Sequence, residues 1–210
     1  MSAADQTVDR RALNRRRLLH ATTAAVGAAG LVAAIWPFVD QLNPDAASRA
    51  SGDVIEADLA GLQPAQPRSV RWRGLPILVV QRTAAAIDAL RDEKLLTRLV
   101  DPKSEKRQQP AYAANWHRSI DPVVSVLIGV CTYCGCNPQF FAEPLFADDV
   151  PGGYVCPCYA SHFDPAGRPY RGPAQYNLPV PPYELVKSSR LVIGRNRSDV
   201  SFTLQSIERM

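Results

Sequence analysis

A chain of 210 residues with a formal charge of +4 has room for one modest domain plus an anchor or tail, but not for two large domains. Its 18 prolines against 12 glycines favour short strands and structured loops over a helical bundle. Most of the charge sits at one end: residues 1–17 hold Arg10, Arg11, Arg15, Arg16 and Arg17 against Asp5 and Asp9, while the rest carries 19 basic and 18 acidic residues. A nearly neutral body without a basic stripe argues against nucleic-acid binding.

The run Leu18–Val39 contains no Asp, Glu, Lys or Arg. As a helix it would extend roughly 33 Å, enough for a hydrocarbon core of about 30 Å. Five arginines precede it and the first charges after it are Asp40 and Asp45, so the positive-inside rule places the N-terminus in the cytoplasm and the remainder across the membrane. Asn14-Arg15-Arg16-Arg17-Leu18-Leu19 looks like a twin-arginine export signal. A cleaved secretory leader is the alternative, but the run closes on Ile35-Trp36-Pro37-Phe38-Val39 with no small-x-small site directly after it. We therefore expect a basic tail over 1–17 and a single uncleaved span over 18–39. Gly27 and Gly30 would allow close packing against a partner's helices. Residues 40–52, ending in the small and polar Asn43–Gly52, read as a flexible hinge.

From 53 to 210 the pattern changes to short apolar runs separated by turns. Val70–Val80, interrupted by Arg73-Gly74, predicts two strands and a tight turn. Thr83–Leu99 is the helical candidate, with Thr83 as cap and Ile87, Leu90, Leu95 and Leu99 as its apolar face. Val123–Val130 reads as a buried strand, Tyr154-Val155 as a second lead-in, and Asp164-Pro165-Ala166-Gly167 as a turn. Leu191–Gly194 and Val200–Leu204 read as closing strands. The expectation is a mainly β protein: a single transmembrane helix, a hinge, and an antiparallel β head with one helical insertion.

All five cysteines lie in two boxes, Cys131-Thr132-Tyr133-Cys134-Gly135-Cys136 and Cys156-Pro157-Cys158-Tyr159-Ala160-Ser161, each following an apolar strand. The pattern Cys131-Thr132-x-x-Gly135-Cys136 followed by Cys156-Pro157-Cys158-x-x-Ser161-His162-Phe163-Asp164 resembles the paired loops of the Rieske iron–sulfur proteins of cytochrome bc-type complexes. The likeness continues through Trp72-Arg73-Gly74-x-Pro76, Arg82-Thr83, Asp101-Pro102, Gly172-Pro173-Ala174 and Asn177-Leu178-Pro179-Val180-Pro181-Pro182-Tyr183, in family order and over nearly the whole chain. It places a cluster-binding region at about 120–182. It implies a [2Fe–2S] cluster with Cys131 and Cys156 on one iron, a disulfide between Cys136 and Cys158, and a hydroxyl of Ser161 on a cluster sulfide. Two histidines should hold the other iron; Tyr133 and Tyr159 stand in those positions. Cys134 replaces a usual leucine and Ala160 a usual glycine. His162 matches a family histidine that is not a ligand.

Three states of the site remain open. Cys131 and Cys156, with substitutes drawn from Cys134, Tyr133, Tyr159 and His162, hold a low-potential cluster or zinc, Cys131-x-x-Cys134 having metal-ligand spacing. Alternatively no metal binds, and Cys131 and Cys156 form a second bridge with Cys134 as the odd thiol. In the third state ordinary redox function persists. No residue is assigned a catalytic role. The resemblance implies a subunit of a quinol:cytochrome c oxidoreductase in respiratory electron transfer, meeting quinol indirectly and working with cytochrome b and cytochrome c1, at the bacterial inner membrane with the head periplasmic. The alternatives are a non-redox pseudo-Rieske subunit docking on such a complex, and a thiol–disulfide oxidoreductase using Cys131-Thr132-Tyr133-Cys134.

Overall fold

The computed structural model describes residues 3–42, 54–144, 150–186, 189–195 and 201–209. Of the hinge expected over 40–52, Asp40 ends a helix and 41–42 form a turn, and residues 43–52 lie outside the described ones. The chain forms two compact units, Met1–Ala46 and Ala47–Met210.

The described residues of the first unit form one helix, α1 (Ala3–Asp40), and a turn at 41–42. Its Arg15–Asp40 part is long and apolar enough to cross a membrane, the one such stretch among the described residues. Pro37 lies inside the helix near its end and supplies no N–H to the carbonyl of Ala33, while its own carbonyl accepts from Gln41 N–H at 3.1 Å.

The second unit is built from three antiparallel sheets. β1 (Ile55–Asp58), β9 (Tyr183–Val186) and β10 (Arg190–Ile193) form one, in the order β1-β10-β9. β2 (Pro67–Trp72), β3 (Leu75–Gln81) and β4 (Val124–Ile128) form the second. β5 (Gln139–Phe141), β6 (Gly153–Val155), β7 (His162–Phe163) and β8 (Pro169–Arg171) form the third. The β2–β3 hairpin closes with Trp72 opposite Leu75. Arg73 and Gly74, at φ 50° and 77°, are both left-handed, as a two-residue hairpin turn matching strand twist requires. β4 is buried along almost its whole length and shares one apolar core with Trp72, Ile77, Phe163, Leu178 and Leu191. Cys131 and Cys156 belong to that same core.

Two expectations change. The helical candidate is broken into α2 (Ala84–Ala89) and α3 (Glu93–Leu96). Thr83 does cap the first, its hydroxyl accepting from Ala86 N–H at 3.2 Å, but Asp92 caps a new helix by accepting from Lys94 N–H at 2.9 Å. Leu90 and Leu95 are five residues apart, which on one helix would point them about 140° away from each other. Breaking the helix lets both be buried. The closing strand expected over Val200–Leu204 is absent among its described residues, 201–204; a 3-10 turn, Leu204–Ser206, follows a capping box between Thr203 and Ser206. β9 carried no strand signal because its sequence, Tyr-Glu-Leu-Val, follows a proline-rich run.

Candidate functional site

β4 and β6 each deliver a cysteine to the start of a tight loop, and the two loops fold alike. In the first, Cys131 N–H donates to Cys136 C=O at 2.8 Å and Gly135 N–H donates to Cys131 C=O at 2.8 Å. In the second, Cys156 N–H donates to Ser161 C=O at 2.9 Å and Ala160 N–H to Cys156 C=O at 3.0 Å. The fifth residue is left-handed in both: Gly135 at φ 75° and Ala160 at φ 48°. The frame makes Cys131 equivalent to Cys156, Tyr133 to Cys158, Cys134 to Tyr159 and Cys136 to Ser161.

The expected disulfide is present: Cys136 and Cys158 are bonded at 2.03 Å and tie the loops together. Cys131, Cys134 and Cys156 are unbridged. Cys131 and Cys156 are buried, and Cys134 is partly exposed. The Cys131 thiol does meet Cys156 through a side-chain hydrogen bond, and Cys134 joins them, its Sγ 3.3 Å from Cys156 Sγ. The sulfurs of Cys134, Cys136, Cys156 and Cys158 all lie within 4.8 Å of one another. Burial pushes the Cys131 thiol up to about 12. At Cys156 burial pulls upward too, but hydrogen bonds from the Cys158 backbone and from the Cys134 and Cys131 thiols outweigh it and lower its pKa.

Tyr133 and Tyr159 sit at the loop tips, 48% and 60% exposed, with their rings edge to face at 5.3 Å between centroids. This contact adds to the Cys136–Cys158 bridge in linking the two loops, at about 1 kcal/mol beyond the area buried. Ser161 Oγ accepts from Ala174 N–H at 3.2 Å. His162 is buried on β7, its ring edge-on to Tyr170 at 5.9 Å, and is not part of the sulfur group. His20 lies in α1, and His117 Nδ1 is 2.8 Å from Ser119 Oγ.

Beneath the loops is a layer that the sequence reading largely missed. Three buried arginines converge on the turn after the second loop. Arg82 Nε donates to Pro165 C=O at 3.0 Å, Arg118 Nη1 to Ala166 C=O at 2.8 Å, and Arg168 Nε to Asp164 Oδ2 at 2.7 Å. Asp164 Oδ1 also accepts from the N–H groups of Ala166 and Arg168. Arg82 belongs to the family-like pair Arg82-Thr83, but nothing in the sequence marks Arg118 or Arg168 as interior; three guanidiniums in a core are expected only when every donor has an acceptor. The first loop is secured differently: Thr132 Oγ1 donates to Tyr176 C=O at 2.7 Å. Gly172, at φ 91°, closes over the second loop so tightly that a Cβ there would lie 2.6 Å from Ser161 Cα and 2.7 Å from Ala160 O. That is why Gly172-Pro173-Ala174 begins with glycine.

Known proteins share this organisation in sequence. Residues 5–45 match the family model described as the ubiquitinol-cytochrome C reductase Fe-S subunit TAT signal. The chain is 42% identical over 187 residues to the ubiquinol-cytochrome c reductase iron-sulfur subunit of Allochromatium vinosum, covering 87% of this chain and 89% of that one. It is 38% identical over 180 residues to the subunit of the same name from Bradyrhizobium diazoefficiens, covering 86% and 94%. A chain of a hyperthermophilic respiratory Complex III aligns with a TM-score of 0.43 and 24% identity, over 82% of this chain and 98% of that one. Identity at this level across most of both sequences means that the chain belongs to the family of Rieske iron–sulfur subunits of ubiquinol-cytochrome c reductase.

Proposed function

We propose that this chain takes the iron–sulfur subunit's place in a ubiquinol-cytochrome c reductase, with a head that keeps the Rieske frame but does not carry a histidine-ligated [2Fe–2S] centre. The family implies such a cluster. A Rieske centre needs two thiolates and two imidazoles. The loops here offer the thiols of Cys131, Cys134 and Cys156 and the phenols of Tyr133 and Tyr159. The donor set does not fit. The observation that carries the proposal is the Tyr133–Tyr159 pair: the side chains taken to stand at the imidazole positions pack against each other.

Two neutral imidazoles hold a Rieske centre at roughly −150 to +300 mV, against about −400 mV for an all-cysteine cluster of the plant type. Phenolate is a harder and more anionic donor than imidazole, and a phenol with a pKa near 10 is a poor acceptor for quinol's proton at neutral pH. Oxidation of quinol through this head is therefore not supported by its residues.

The rest of the reading follows the family. Residues 1–17 form a cytoplasmic basic tail, 18–39 the span and 40–52 the hinge, and the head from 53 onward faces the periplasm beside cytochrome b and cytochrome c1 in a bacterial inner membrane. Support comes from the five arginines that precede the apolar run Leu18–Val39 and from the absence of any acidic residue within that run.

Iron and acid-labile sulfide analysis of the purified chain, with EPR of the reduced sample, tests the proposal. We expect neither iron in stoichiometric amount nor a Rieske signal. The Tyr133→His, Tyr159→His double variant, after cluster reconstitution, is expected to gain the colour and the EPR signal of a Rieske protein. A native cluster titrating at a positive midpoint would overturn the proposal.

A further inference from the structure

Where the donor set no longer suits a Rieske cluster, three thiols have been left in one place. Cys134 Sγ lies 3.3 Å from Cys156 Sγ. Two thiolates sharing a tetrahedral zinc, with Zn–S near 2.3 Å, would stand about 3.8 Å apart. A disulfide needs about 2.05 Å, a further approach of a little over 1 Å that side-chain rotation supplies. The two sulfurs belong to different loops, but the Cys136–Cys158 bridge already holds those loops together, so bringing Cys134 to Cys156 requires little further loop closure. Access is unequal. Cys131 and Cys156 are 1% and 0% exposed, whereas Cys134 is only partly buried and is the thiol an external reagent reaches.

We propose that Cys134 and Cys156 form an oxidisable dithiol, a second and reversible crosslink between the two loops, with Cys131 remaining reduced beside it. The inference rests on the reading that no Rieske cluster occupies the loops, since Cys156 would otherwise be a ligand. The oxidant is an external disulfide, RSSR. The Cys134 thiolate attacks one of its sulfurs; a Cys134–SR bond forms, the S–S bond of RSSR breaks, and one RS⁻ leaves. The Cys156 thiolate then attacks Cys134 Sγ, closing the protein disulfide and expelling the second RS⁻. The dithiol loses two electrons, RSSR gains two, and the two thiol protons end on the two RS⁻. An external dithiol reverses both steps.

The test uses the full chain in detergent with oxidised glutathione as probe. After exposure, the protein is denatured without reductant, its free thiols are alkylated, and the labels are counted by mass spectrometry. Three labels are expected in the untreated protein and one in the oxidised protein. Because Cys134 and Cys136 share a peptide, serine variants locate the new bridge. Cys131→Ser should fall from two labels to none, and Cys134→Ser should keep both of its labels. Loss of both labels in Cys134→Ser would mean that Cys131 pairs with Cys156 and would overturn the assignment, as would three labels persisting in the wild-type chain. Stoichiometric zinc in native mass spectra would overturn it in favour of a metal site. Iron with acid-labile sulfide would instead sink the reading beneath it, a distinct outcome.

Discussion

The two cysteine loops have the same backbone and different foundations. Each closes with a pair of hydrogen bonds, from its first residue to its sixth carbonyl and from its fifth residue back to its first. The first loop continues from β4, a strand packed into the apolar core, and needs little else. The second stands on a polar base, the Asp164–Gly167 turn held by Arg82, Arg118 and Arg168. The difference shows where the loop geometry is encoded. The frame comes from strand register, turns and buried guanidiniums, none of which are ligand positions. Ligand positions can therefore change while the frame is kept.

The strongest way to break the comparison is to remove one guanidinium. Arg168 and Asp164 are fully buried, and Arg168 also donates to Pro102 C=O at 3.0 Å and Leu90 C=O at 3.2 Å. Arg168→Ala leaves a buried carboxylate and two carbonyls without their partner, at an expected cost of about 3–5 kcal/mol. Guanidinium titration followed by tryptophan emission reads the loss. The second loop should open first, and alkylation of Cys156 should become faster than that of Cys131. Equal rates would show that the two loops share one support.

Next in size is the bridge between the loops. Replacing Cys136 and Cys158 together by serine opens a loop of sequence separation 22 and should cost about 3 kcal/mol, measured by the same titration. Reduction of the proposed Cys134–Cys156 crosslink in wild-type protein should cost much less, because the outer bridge already closes the same stretch of chain.

The apolar half of this design is legible in the sequence, and the polar half is not. Val123–Val130 announces a buried strand, Arg73-Gly74 announces a hairpin turn, and the likeness of the two boxes to the Rieske loops implies the disulfide between them. Those features rest on local pattern and resemblance. Arg118 and Arg168 read as surface residues because their acceptors are mostly main-chain carbonyls from distant segments, at 166 and 178 for one and 102 and 90 for the other. No local pattern records such partners. The approach of Cys134 to Cys156 was missed for a related reason. Spacing puts the sulfurs in the same neighbourhood but does not say which two meet, and side-chain direction within the common frame decides that.

A smaller effect comes from His117, whose carbonyl accepts from Arg82 Nη2 at 2.8 Å. Burial, helped by the charge of Arg82, lowers its pKa to about 4. The folded state therefore favours the neutral ring. Its contribution is fully present above pH 6.5 and declines as the pH falls towards 4, because the unfolded chain takes up the proton first. Allowing for solvent around a partly exposed ring, the loss should be roughly 1–2 kcal/mol. His117→Gln should flatten the stability profile across that window while leaving the neutral-pH value nearly unchanged. An unaltered acid slope would place the sensitivity elsewhere.

The smallest effect is the sharpest test of the common frame. Its left-handed fifth position holds glycine in one loop and alanine in the other. A side chain there costs about 1–2 kcal/mol through contact with the backbone, partly offset by the 0.5–1 kcal/mol of chain entropy that glycine gives up on folding. Ala160→Gly should then stabilise the chain by about 0.5–1 kcal/mol, and Gly135→Ala should destabilise it by a similar amount, since no atom lies within 4 Å of the added Cβ to contribute a clash of its own. The two shifts in denaturation midpoint should be equal and opposite. If Ala160→Gly gives nothing, then the packing of the second loop under Gly172 and the buried arginines already overrides its backbone preference, and the polar base holds the loop more firmly than the strand holds its partner.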